Sequence, residues 1–202
     1  MPITLDKFTE IKNKYGSMSS WAIWKEQEDT IKSGISDISF FENPTDITLN
    51  ILNPNIILVG LNISQHIPKL FNNFHSSYAF SQDYKIRYAI KNTMFYGAYM
   101  TDIIKDFEEK VAGNLMIYLN KNRTFEKDNI QKFEEELSFI GSINPIIIAF
   151  GNDSYKILNR NLKKYKIYKV SHYSSYINIE KYLLEFKNLE LNINLKIGVL
   201  NV

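Results

Sequence analysis

Two short polar segments, each following a strongly apolar run, carry residue types able to do chemistry. One is Val59-Gly60-Leu61-Asn62-Ile63-Ser64; the other is Val170-Ser171-His172-Tyr173-Ser174-Ser175. Thr101-Asp102 and Asn152-Asp153 also close apolar runs. These positions offer amide, hydroxyl, carboxylate and imidazole groups, which serve hydrogen-bonded recognition and proton transfer. Several other chemistries lack their residues. Cysteine is absent, which excludes disulfides, thiolate zinc, iron–sulfur clusters and a cysteine nucleophile. There is no Gly-rich loop ending in Gly-Lys-Ser/Thr, no G-x-G-x-x-G and no H-E-x-x-H. A Ser-His-Asp triad lacks its G-x-S-x-G elbow. His66, His75 and His172, with Asp83 or Asp102, are the available metal ligands, but the histidines share no helix-face spacing.

The elements that position these residues follow from apolar patterning. Ile56-Ile57-Leu58-Val59, introduced by Asn53-Pro54-Asn55, fits a strand buried on both faces of a parallel sheet. Pro145-Ile146-Ile147-Ile148-Ala149-Phe150 is a second such strand, ending at Gly151. Residues 96–104 and 165–170 are weaker strands. Residues 4–15, with Leu5, Phe8, Ile11 and Tyr15 at helical spacing, predict a helix stopped by Gly16. Further helices are expected over 19–31 (capped by Ser19 or Ser20), 84–92, 128–140, from Asn152 or Asp153 to 162, and over 179–186. Residues 32–50 read as a long connection. The alternation of Leu191, Ile193, Leu195, Ile197 and Val199 predicts an edge strand. Strands alternating with helices mean an α/β fold: a three-layer α/β/α sandwich with a central, mostly parallel sheet of about four strands. Ligands bind such sheets at the carboxyl ends of strands, where the polar positions above fall.

Length and charge bound the answer further. At about 150 residues per domain, 202 residues make one domain, or one with a small appendage. The expected division is a helical extension over 1–50, an α/β domain over 51–190 and a tail over 191–202. Hydrophobic residues are 45% and charged residues 23%, enough for a core and against wholesale disorder. The net charge of +2 excludes a histone-like polycation. No apolar run approaches the roughly 18 residues of a membrane helix, and the N-terminus lacks an apolar signal core. A monomeric cytoplasmic protein with no membrane partner is expected. A basic run, Lys156, Arg160, Lys163, Lys164, Lys166 and Lys169, interleaves with Tyr155, Tyr165 and Tyr168 and predicts a local positive field.

The order of these motifs resembles the uracil-DNA glycosylase superfamily. Gly60-Leu61-Asn62 is similar to its first motif, closest to the mismatch-specific uracil/thymine branch, and His172-Tyr173-Ser174 to its second. Between them, Phe74, Met100-Thr101-Asp102, the helix with Glu134-Glu135-Glu136-Leu137, and the Pro145-led strand keep the family order. The resemblance covers residues 53–186. It implies hydrolysis of the N-glycosidic bond of a base flipped out of nucleic acid, with DNA favoured over RNA and with no metal or organic cofactor. It implies that Asn62 positions the water, His172 stabilises the leaving base, Phe74 stacks on the extruded ring and Asp102 reads the base edge. Ser64, Ser174, Ser175 and Lys169 would hold the phosphate backbone.

Three departures carry information. Ile63 and Tyr173 replace prolines that constrain the two motif loops. Asp102 stands where an Asn is usual. An amide donates and accepts, which suits uracil; a carboxylate only accepts, which suits an amino-bearing base. Simpler roles stay open for each residue alone. Gly60 fits a turn, Asn62 a cap, His172 a buried histidine, Phe74 a core side chain and the lysine run a solvated helix face. Three other functions also stay open. They are a non-catalytic nucleic-acid or nucleotide binder, a metal-dependent phosphoesterase using His66, His75, His172 and Asp83, and an interaction protein pairing through the tail strand.

Overall fold

The sheet is built around the first apolar run. The computed structural model describes residues 2–199 apart from 65 and 77, and of 196–199 only the backbone. In chain order the elements are α1 (Leu5–Tyr15), β1 (Ser19–Trp21), a 3-10 turn (Ser39–Phe41), α2 (Asp46–Ile51), β2 (Asn53–Asn62), α3 (Tyr84–Ile90), β3 (Ala98–Ile104), α4 (Ala112–Lys121), α5 (Arg123–Phe139), β4 (Ile146–Phe150), α6 (Gly151–Asn161), β5 (Lys166–Val170) and α7 (Ile179–Val199). The five strands lie in the order β1-β3-β2-β4-β5. All neighbours are parallel except β1, which pairs antiparallel with β3. The architecture is therefore α/β with a mostly parallel central sheet.

Strand alternation sends side chains to two cores. Ile57, Val59 and Leu61 of β2 join Ile147 and Ala149 of β4 on one face, packed with Phe8, Leu119, Phe133 and Ile157 from α1, α4, α5 and α6. Ile56 and Leu58 join Met100, Ile148 and Phe150 on the other, under Ile86 of α3 and Tyr182 and Phe186 of α7. Burial on both faces explains the unbroken apolar runs of β2 and β4. The chain leaves β2 for β3 on one side, then passes to β4 on the other, so the strand order reverses beside β2. In open parallel sheets that reversal opens a crevice at the carboxyl ends.

Three expectations are corrected. Residues 19–31 do not form a helix. Ser19, Ser20 and Trp21 are the fifth strand, and the two hydroxyls donate to Tyr15 O (2.8 Å) and Phe71 O (2.6 Å) instead of capping. Residues 1–50 thus supply a strand to the sheet, not helices alone. The connection before β2 contains a helix, α2, capped by the Thr45 hydroxyl. The predicted tail strand is the second half of α7 as far as Val199; residues 200–202 lie outside those described. In that helix Phe186, Leu189 and Ile193 face the core, while Leu191 and Leu195 are 61% and 68% exposed. An alternating strand would have put all three of Leu191, Ile193 and Leu195 on one face. α4 was not anticipated. Among the described residues no helix is long and apolar enough to cross a membrane.

The helical assignment of α7 is directly testable. Ile193→Ala should cost about 2–4 kcal/mol of unfolding free energy, as for a truncated core aliphatic. Leu195→Ala should stay within about 0.5 kcal/mol. Urea titration of both variants checks this, and equal effects would favour the strand.

Candidate functional site

A cleft of about 1070 Å³ opens at the carboxyl ends of the parallel strands. Its lining includes Asn62 and Ser64 after β2, Asp102 of β3, Phe150 of β4, and His172 and Ser174 after β5. Phe74 and Asp83, from the loop between β2 and α3, complete it. Six of the eight residues singled out in the sequence therefore share one cleft. The other two do not. Ser175 donates its hydroxyl to His172 O (2.7 Å), closing a turn, and exposed Lys169 donates to Asn152 Oδ1 (2.8 Å).

Gly60 and Asp102 are register partners on adjacent strands and point to the same face. A Cβ on Gly60 would lie 2.1 Å from Asp102 Oδ1 and 3.3 Å from Phe74 Cζ. Glycine here makes room for a carboxylate, a reason additional to any turn. Asp102 is 3% exposed, and its Oδ2 accepts from Asn73 Nδ2 at 2.8 Å. Burial pushes its carboxyl up to about 6, opposed by the Asn73 hydrogen bond. Asp83, also buried, accepts from the Ser76 N–H at 2.7 Å, and burial again raises its carboxyl. Asn73 and Asp83 escaped the sequence reading of base contacts. Both lie in a loop, where no periodicity marks which way a side chain points.

Phe74 sits in left-handed backbone, with φ of 62°. A bulky residue there is strained by about 1–3 kcal/mol, and such strain clusters at functional sites. The Phe74 N–H donates to Asn73 Oδ1 (3.1 Å), and the ring packs 6.0 Å from Phe150 and 6.2 Å from Tyr173. At 5% exposure the ring is largely a wall of the cleft and not a free platform. Tyr173 stacks on His172, centroids 4.4 Å apart at 24°. Tyr173 is thus part of the aromatic wall.

Asn62 is held by its amide. Nδ2 faces the carbonyls of Ile63 (3.1 Å), Phe107 (3.1 Å) and Glu109 (2.8 Å), which ties β2 to the loop before α4. Among the described residues no donor reaches Oδ1, so that oxygen can accept from a water. His172 Nδ1 accepts from the Ser174 N–H (3.2 Å) and lies 2.8 Å from the Ser174 hydroxyl. This fixes the neutral tautomer with the proton on Nε2. Burial pulls the imidazole down to about 4, so it is uncharged at neutral pH. Gly151, with φ of 84°, lets its backbone approach His172 Cβ; a methyl there would meet it at 3.2 Å.

The anticipated positive field is offset at three of its six cations. Arg160 pairs with Glu126, Lys164 with Glu134 (2.6 Å) and Lys156 with Asp153 (3.5 Å). His66, His75 and His172 all line the cleft; His66 is exposed, while His75 is buried with Nε2 3.3 Å from Trp21 O. Among the described residues no three His, Asp or Glu side chains form a metal-ligand group. No family model, curated protein or solved structure matches the chain.

Two outcomes follow from the Gly60–Asp102 contact. Gly60→Ala should cost about 1–3 kcal/mol by overpacking, and Asp102→Ala in the same chain should recover part of it. Non-additivity in a double-mutant cycle checks the contact. The second outcome concerns pH. The Asp102 carboxyl titrates at 3.8 in its ordinary state and at about 6 when folded. The folded chain then binds the proton more tightly, so this group stabilises fully below the lower value and loses that contribution as pH rises through about 6. Wild type should lose about 2–3 kcal/mol relative to Asp102→Asn between pH 4 and 6.5. His75 and His172 titrate in both proteins and cancel in the difference. A pH-independent difference in urea midpoints would place the carboxylate in water.

Proposed function

We propose that this cleft binds a nucleobase turned out of a nucleic-acid strand, and that the chain is a base hydrolase resembling the uracil-DNA glycosylase superfamily. The observation that carries this is co-location: Asn62, Phe74, Asp102, His172, Ser64 and Ser174, chosen for their order along the chain and, Phe74 apart, for their places at strand ends, line one cleft. The same reading takes the sheet with helices on both faces as a three-layer α/β/α sandwich of that type. DNA is the favoured partner.

The reaction adds water across the N-glycosidic bond, releasing the free base and leaving an abasic sugar. Its transition state has oxocarbenium character at the sugar, so little proton removal from water is needed before attack. Asn62 suits that task. Its Nδ2 is fixed by three carbonyls, which aims Oδ1 at a water without reorganisation. His172 is neutral with Nε2 as donor, able to bond a base carbonyl or ring nitrogen as the bond breaks. Phe74, Phe150 and Tyr173 offer an apolar slot for a flat ring. Asp102 is an acceptor and selects for an exocyclic amino group over uracil. Ser64 and Ser174, with the first turn of α6, whose start no side chain caps, lie where the flanking phosphates would run.

Base release decides this reading. Labelled oligonucleotides carrying uracil, cytosine, hypoxanthine, mismatched thymine or ordinary bases, single- and double-stranded, are incubated with protein and chelator, then treated with alkali. Release from an amino-bearing base, reduced about 100-fold or more in Asn62→Ala, is the expected result. Salt-dependent binding without release would instead mark a non-catalytic binder on the same cleft.

A further inference from the structure

The charges in the cleft do not match a departing anion. Asp83, Asp102, Glu109 and Asp153 all line it, and the single Lys or Arg among the described lining residues is Lys110. Asp83 and Asp102 are 6% and 3% exposed and line the same cleft. Each keeps only neutral partners: Asn73 for Asp102, and the Ser76 N–H for Asp83. Among the described residues no donor reaches Asp102 Oδ1. Of the three histidines in the lining, His172, which follows β5, is held uncharged by burial. Uracil or thymine would leave as an anion into this field. Buried carboxylates without a cation raise the energy of that anion, since like charges in a poorly solvated site repel strongly.

A base that is already positive reverses every one of these terms. We propose, resting on the base-hydrolase reading, that the substrate class is a cationic, ring-N-alkylated purine. Asp102, whose carboxylate has no cation in contact, attracts the cation, and Asp83, Glu109 and Asp153 line the same cleft. Breaking the glycosidic bond sends its electron pair onto the ring nitrogen and discharges the cation, so the base leaves neutral. Water adds to the sugar carbon and loses one proton to solvent. No anion has to be stabilised, which fits a neutral His172 and an Asn62 that is no base. The amino group of an alkylated adenine or guanine also meets the acceptor at Asp102.

The test has two arms at pH 7.5. In the first, duplex and single-stranded DNA treated with a methylating agent is incubated with wild type, Asn62→Ala and Asp102→Asn, and released bases are separated by chromatography beside a uracil-containing control. Release of 7-methylguanine or 3-methyladenine over undamaged bases and uracil, abolished in Asn62→Ala and reduced about tenfold or more in Asp102→Asn, is expected. In the second, calorimetry compares 1-methyladenosine, mainly cationic at this pH, with adenosine. Wild type should bind the cation about tenfold more tightly, and Asp102→Asn and Asp83→Asn should each narrow the gap. Release of uracil or unmodified bases with no preference for the cation overturns this proposal and leaves the hydrolase reading standing. Preference for the cation without any release retains the charge selection and overturns the hydrolase reading. No preference in either arm overturns the proposal outright.

Discussion

The site depends on an ion pair that never meets it. Lys105, at the end of β3, and Glu136, on α5, join at 2.6 Å with side chains 4% and 0% exposed. Removing two charges from water is costly, and only good geometry offsets it. The geometry is supplied by a shared network. Glu136 Oε1 takes the Tyr99 hydroxyl (2.8 Å) and the Thr101 hydroxyl (3.0 Å), and Lys105 Nζ donates to Thr101 Oγ1 (2.7 Å) and Asp102 O (2.8 Å). Breaking such a pair typically costs about 3–5 kcal/mol, because one charge stays buried alone. The network admits one register of β3 against α5. Since side chains alternate along a strand, fixing Tyr99 and Thr101 toward α5 also fixes Met100 and Asp102 on the opposite face, where Asp102 reaches the cleft.

The two faces of β3 then carry opposite electrostatic designs. On the α5 face the acid has its cation. On the cleft face Asp102 has an amide and a close glycine, but no cation in contact. Lys105 still favours the ionised carboxylate through the strand, though less than burial disfavours it. The result is a carboxylate whose charge is available to a ligand and is not spent on a neighbour. Asp83, just before α3, is likewise buried with neutral donors and lines the same cleft. A cleft built this way gains most from an occupant that brings its own positive charge or its own donors.

What the sequence disclosed follows from where each signal originates. β2 and β4 were legible because burial on both faces demands an unbroken apolar run. That Asn62, Asp102 and His172 would share one cleft was legible because parallel sheets open crevices at strand ends. α7 was misread because Leu191, Ile193 and Leu195 satisfy a period of two; Phe186, Leu189 and Ile193, at helical spacing, held the deciding information. The basic run was only half legible for a different reason. Its cations are local in sequence, but Glu126 and Glu134, which pair with Arg160 and Lys164, come from α5. Asn73 and Asp83 depend on loop geometry that no pattern encodes.

The same loop explains what the N-terminal fifty residues contribute. The strained segment around Phe71 (φ 60°) and Phe74 (φ 62°) is fastened almost entirely to the chain around β1. The Phe71 N–H donates to Gly16 O (2.6 Å), and Ser20 Oγ donates to Phe71 O (2.6 Å). Asn73 Nδ2 bridges Met18 O (3.0 Å) and Asp102 (2.8 Å), and His75 Nε2 meets Trp21 O (3.3 Å). A backbone held outside its favoured region persists only where its surroundings over-determine it. Here β1 is that surrounding. It rides on β3 in register, Ser19 opposite Thr101, and so shares the frame that the buried ion pair sets. The aromatic wall and the carboxylate are therefore positioned by one strand: Asp102 from within it, and Phe74 through the short antiparallel neighbour at its edge.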